Sequence, residues 1–130
     1  MHSQEVFDRL ESIAALDDFV ARSSELVDEW SGSADGLDAV EPILRFMELH
    51  PFLEFGMPGP LVHFVERYYG CGYEPKLLDS IGRKPTGHTV WMLNRVINGT
   101  KEPRTRHRSI EILKGARDNP AADESTRSLA

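Results

Sequence analysis

Apolar residues recur along most of the chain at steps of three and four, the spacing that places side chains on one face of an α-helix. Residues 4–16 put Val6, Phe7, Leu10, Ile13 and Ala14 in such a row, with Ser3 as a candidate N-cap and Glu5 favourable in the first turn. Asp17 and Asp18 interrupt the row. A second helix carries Phe19, Val20, Leu26, Val27 and Trp30 and runs out in Ser31-Gly32-Ser33. A third carries Leu37, Val40, Ile43, Leu44 and Met47, with Asp35 or Asp38 as its cap. Pro42 then falls in or just beyond the first turn, where its missing N–H costs little. Pro51 ends this helix after His50.

The stretch PFLEFGMPGP, residues 51–60, predicts a stiff ordered loop that buries Phe52, Leu53, Phe55 and Met57. Pro60 opens a fourth helix through Leu61, Val62, Phe64, Val65, Tyr68 and Tyr69, closed by Gly70. A shorter fifth follows Pro75, with Leu77, Leu78 and Ile81, and ends at Gly82. Thr86 caps a sixth, HTVWMLNRVIN, which stops at Gly99 and is apolar around most of its circumference, as a buried central helix is. A seventh runs from about Pro103 to Lys114, stopped by Gly115 or by Asp118-Asn119-Pro120. AADESTRSLA, residues 121–130, reads as the start of an eighth. No segment of more than four residues alternates with period two. The expectation is therefore an all-α chain of seven or eight short helices forming a single helical domain over residues 1–130. Two arrangements suit it: a HEAT-like right-handed stack of helical hairpins, or a compact helical bundle. The early proline of the third helix favours the stack. So does the tail IEILKGARDNPAADESTRSLA, which resembles the junction between HEAT-like repeats.

The length, 130 residues, is enough for one hydrophobic core without staples. With 40% hydrophobic and 28% charged residues, neither a disordered nor a membrane protein is indicated. No apolar run approaches the ~20 residues a membrane helix needs. The acidic, amphipathic N-terminus lacks the basic start and apolar stretch of a signal peptide, so a cytoplasmic location is expected. Cys71 is the single cysteine, which leaves no internal disulfide and no cysteine-rich zinc site. Flanked by Gly70 and Gly72, it reads as a half-buried turn residue rather than a catalytic thiol.

Charge changes the picture more. The net charge of −6 divides into 13 acids against 3 bases in residues 1–65, and 8 acids against 12 bases in residues 66–130, so −10 is followed by +4. Asp17, Asp18, Glu25, Asp28, Glu29, Asp35 and Asp38 crowd a single stretch. They read either as a solvated helix face or as a docking surface for a basic protein, since acidic patches steer basic partners and speed association. Lys101, Arg104, Arg106, His107 and Arg108 form a basic cluster at the start of the seventh helix. Phosphate would be attracted there, but no aromatic residue follows Arg95 to stack a base, so direct nucleic-acid binding is not expected.

Little supports chemistry. The histidines, at 2, 50, 63, 88 and 107, never pair at i,i+4, and no His-Glu-x-x-His is present. His63 and Glu66 are three apart on one helix, but no second such pair completes a metal site; no metal and no cofactor are expected. No Gly-x-Ser-x-Gly elbow or phosphate loop occurs, although Arg83, Lys84 and Thr86 at the mouth of the sixth helix could hold an anion. His63, His88, Trp91, Asn94 and Arg95 are candidates for a recessed polar pocket, with internal hydrogen bonding as the competing reading.

The segments AVEPILRFMELHPFLEFGMPGPLVHFVERY and SIGRKPTGHTVWMLNRVING carry a resemblance over residues 36–118, through Pro42, Glu48, Pro51, Gly56, Pro58, Gly59, Pro60, His63, Arg83, Pro85, Thr86, His88, Trp91, Asn94, Arg95 and Asn98. This pattern resembles HEAT-like helical immunity proteins of bacterial polymorphic-toxin and contact-dependent growth inhibition systems. The resemblance implies a cytosolic, one-domain protein without catalytic residues. It would bind a cognate toxin, with a nuclease as the expected class, and occlude its active site or substrate cleft. The acids of residues 17–38 would then face the basic toxin, with no membrane partner. The alternative is a small-ligand-binding or enzymatic helical domain using the His63/His88/Asn94/Arg95 pocket.

Overall fold

The punctuation read from the sequence sets most of the helix ends. The computed structural model describes residues 3–32, 36–56 and 59–119. Among these residues the chain is all-α: seven α-helices, one short 3-10 turn and no strand. The helices are α1 (Ser3–Ile13), α2 (Phe19–Ser31), α3 (Val40–Leu49), α4 (Gly59–Glu66), α5 (Tyr73–Arg83), α6 (Gly87–Gly99) and α7 (Pro103–Asp118). The expected eighth helix over 121–130, the candidate cap and docking residue Asp35, and Met57 lie outside the described residues.

Four helices differ from expectation at a boundary, each for a local reason. α1 begins at Ser3, the expected cap, and ends at Ile13 rather than residue 16, because the Ala14 and Leu16 N–H groups donate to carbonyls three residues back. No side chain caps α3; a 3-10 turn, Gly36–Ala39, feeds into it with Ala39 already in right-handed helical geometry, and Asp38 sits within that turn. α4 ends at Glu66, because Arg67, Tyr68 and Tyr69 donate to carbonyls three residues back rather than four. Gly70 and Gly72, at φ 72° and 111°, then reverse the chain. α5 begins two residues before Pro75, whose absent N–H has no intrahelical partner to lose in the first turn. α7 passes Gly115, a residue that weakens a helix interior by only ~1 kcal/mol, and ends at Asp118-Asn119, the second of its two expected stops. Cys71, expected to be half-buried, is exposed in the turn between α4 and α5.

The chain divides into two compact units, Met1–Tyr73 and Glu74–Ala130. In the first, α1 packs on α3 and α2 on α4. Alternate helices thus lie against each other, as in two stacked hairpins. An aromatic cluster ties them together. Phe46 stacks on Phe19 at 5.8 Å and meets Phe55 and Phe7 edge-on at 6.0 and 6.4 Å, while Trp30 of α2 meets Phe64 of α4 at 6.1 Å. Val6, Leu10, Ile43, Leu44 and Leu61 fill the remaining core. Gly36 is required by packing, because a Cβ there would collide with the Tyr68 hydroxyl.

The loop after α3 departs from expectation. Phe55 is buried and Leu53 half-buried, but Phe52 is 82% exposed. The turn that carries it is closed by the Leu53 N–H donating to the His50 carbonyl, which directs Phe52 outward instead of toward the Phe19–Phe46–Phe55 cluster.

In the second unit α6 packs on α7. Thr86 caps α6 as expected: its hydroxyl accepts from the Thr89 N–H, and the Thr89 hydroxyl accepts from the Thr86 N–H. α6 buries Val90, Met92, Leu93, Val96 and Ile97 but leaves Trp91, Asn94 and Arg95 half-buried and Asn98 exposed. Arg106 of α7 donates to the Ile97 carbonyl at 3.3 Å, and the Asn119 amide reaches the Gly82 carbonyl at 3.4 Å.

Candidate interaction surfaces

On α2 the residues Phe19, Ser23, Leu26 and Trp30 are buried, four, three and four apart. That face fixes where the acids point. Asp18, Arg22, Glu25 and Glu29 repeat the same spacing one flank over and are all exposed. Arg22 lies 3.1 Å from Asp18 and 3.8 Å from Glu25, while Arg9 of α1 reaches Glu29 at 2.7 Å. The Arg9 hydrogen bond holds the Glu29 carboxyl below its ordinary range, and the same bond raises the arginine. Three of the candidate acids are therefore already engaged by arginines of this chain. Their pairs are exposed, so each contributes little and stays open to exchange with an outside cation.

The other acids lie elsewhere. Asp28 faces the opposite flank of α2, toward α4. It lines an open groove of about 780 Å³ together with Ser24, Ser31, His63, Phe64 and Arg67. Within it Arg67 donates to the Ser31 hydroxyl at 2.6 Å, and that hydroxyl donates to the Val27 carbonyl. Asp17 is exposed in the turn between α1 and α2, and Asp38 in the 3-10 turn. The six described acids are all exposed, but they occupy several places on the first unit rather than one face.

The pocket candidates also separate. His63 is an exposed residue of α4 in the first unit; His88, Trp91, Asn94 and Arg95 share α6 in the second. Arg95 lies over the Trp91 ring at 5.1 Å, one helical turn away. The Asn94 amide donates to the Val90 carbonyl of its own helix, an internal use of its polarity. His63 meets a residue proposed for a different role, Asp28, in lining one groove.

Leu49 and Phe52 are the surface residues that sequence reasoning missed. With Leu16 and Val20 they make four of the five exposed large hydrophobic side chains among the described residues. The helical repeat could not mark Leu49 or Phe52 as outward-facing, since α3 ends at one and the other sits in a turn. Among the described residues no group of three His, Cys, Asp or Glu could hold a metal ion, and no helix is long and apolar enough to cross a membrane.

The charge division follows the structural one: residues 1–73 hold 14 acids and 4 bases, and residues 74–130 hold 7 acids and 11 bases, so the two units carry −10 and +4. No protein-family model matches the chain, and no curated protein or solved structure is significantly similar to it.

Proposed function

We propose that the chain is a protein-binding inhibitor, an immunity protein that neutralises a cognate bacterial toxin in the cytoplasm by covering its active site or substrate cleft. A nuclease is the best-fitting target class, because a nuclease carries a basic groove for its own substrate. The observation that carries the reading is the −10 charge of the first unit, with all six described candidate acids in solvent. Such a field accelerates encounter with a basic protein. The resemblance of residues 36–118 to immunity proteins points the same way. Occlusion asks for no catalytic residue, metal or cofactor.

An immunity gene is expected to lie directly downstream of a large secreted toxin gene, and the experiment expresses the chain in cells together with the C-terminal domain of the toxin found there. Absence of any toxin gene nearby would count against the proposal. Expected are restored growth and co-purification at low salt, with weaker co-purification at high salt. Continued growth arrest with a folded, expressed chain would overturn the proposal.

One observation favours a second reading, a small-ligand or enzymatic site: His63 lines an open groove with Asp28 and Arg67. Ligand density or a metabolite retained there, lost in His63→Ala, would support it over toxin binding.

A further inference from the structure

The first unit exposes a hydrophobic end that its folding does not use. Leu49 and Phe52 are 62% and 82% exposed, and Leu16 and Val20 are exposed as well. These side chains come from two segments, residues 11–20 and 46–56, which the structure brings together. Phe19 packs on Phe46 and Phe55, and Glu11 lies 2.7 Å from the His50 ring. A large aromatic residue fixed in a hydrogen-bonded turn and left in water has the form of an interface anchor.

The charges around it select the occupant. The exposed acids of the two segments are Glu11, Asp17, Asp18 and Glu54; Glu48 is buried, and the neighbouring Arg22 of α2 lies 3.1 Å from Asp18, so the exposed charge of this end remains negative. Asp17 and Asp18 sit directly between Leu16 and Val20. A second copy docked through the same end would set acid against acid. An anionic lipid surface or a nucleic acid would meet the same repulsion. A protein with an apolar recess rimmed by lysine and arginine meets attraction at the rim and burial at the centre.

We propose that this end of the first unit is a docking surface for such a protein, with Phe52 as the anchor that enters its recess. This rests on the reading of the chain as an inhibitor of a basic partner and names where the partner sits. It also shifts emphasis from the acids of α2 to the α1–α2 turn and the loop after α3. The acids steer, and Phe52 holds.

The test titrates isotope-labelled full chain with three synthetic helical peptides while backbone amide shifts are followed. One peptide has a leucine face and a lysine face, one has lysine without leucine, and one has leucine with glutamate. The expected result is binding of the leucine–lysine peptide alone, with shifts confined to residues 14–20 and 48–56. Phe52→Ser should weaken it by about tenfold or more, and Asp17→Asn with Asp18→Asn should slow association. Because Phe52 is exposed, an unchanged urea midpoint separates lost binding from lost folding. The proposal is overturned by shifts mapping elsewhere, by equal binding of the lysine-only peptide, by no effect of Phe52→Ser, or by no binding at all. Concentration-dependent shifts at these residues without peptide would assign the surface to a second copy instead. If the peptide binds here and growth protection fails, the surface stands and the inhibitor reading falls. If protection works and Phe52→Ser leaves it intact, the partner docks elsewhere.

Discussion

Phe46 and Phe52 are six residues apart and chemically identical, yet the structure gives them opposite energetics. Phe46 is 0% exposed, with three aromatic rings within 6.4 Å and the His50 ring at 4.5 Å. Truncating it to alanine removes the transfer energy of the ring, leaves a cavity and breaks the ring contacts, for a total of about 3–5 kcal/mol. Against a total stability of about 5–15 kcal/mol this is a large fraction. With a urea dependence of about 1–3 kcal/mol per molar, the midpoint should fall by about 2 M. Phe52→Ala removes a ring that is mostly in water and should change stability by no more than about 0.5 kcal/mol. Urea unfolding followed through Trp30, which is buried in the same unit, reads both variants; a Trp91→Phe background removes the second fluorophore. Equal midpoint shifts in the two variants would refute the reasoning, since they would mean that Phe52 shares the core.

Other predictions test separate parts of the structure. Thr86→Ala removes one half of a buried capping box and should destabilise the second unit by about 1–2 kcal/mol, read as lost amide protection over the first turn of α6. Gly36→Ala forces a Cβ against the Tyr68 hydroxyl and should cost about 1–3 kcal/mol, with Tyr68 and Phe64 resonances displaced in the folded protein. Arg9→Gln should raise the titration midpoint of Glu29, because the Arg9 hydrogen bond is what depresses it. That contribution is present above the unfolded-state value and lost as pH falls through the lower folded value, so the α1–α2 tie loosens only in acid. Glu102 is held down chiefly by the Thr105 hydroxyl, so Thr105→Val should raise its midpoint in a carboxyl-detected titration.

The helical class was legible because the three–four spacing of apolar residues is a direct image of helix geometry; α6 begins at its Thr86 cap, and α2 and α6 end at Gly32 and Gly99. The hydrogen bonds that end α4 at Glu66 were not, since Tyr68 and Tyr69 continue the apolar row while the backbone tightens beneath them. Phe52 was read as buried because a phenylalanine among prolines and other apolar residues usually is. Only the turn closed between His50 and Leu53 decides its direction. The acids were legible as a composition but not as a surface. Which of them share a flank depends on where the buried row Phe19–Ser23–Leu26–Trp30 faces, and which are engaged depends on Arg9, from another helix.

Capture of a basic toxin by the acidic first unit is tested most directly by association kinetics with the C-terminal domain of the toxin whose gene the proposal places directly upstream. The association rate should fall steeply with ionic strength. Association should also slow when Asp17, Asp18 and Asp28 become Asn and Glu29 becomes Gln, with only the small stability loss of breaking the exposed Arg22–Asp18 and Arg9–Glu29 pairs. An association rate indifferent to salt and to all four substitutions would contradict such capture.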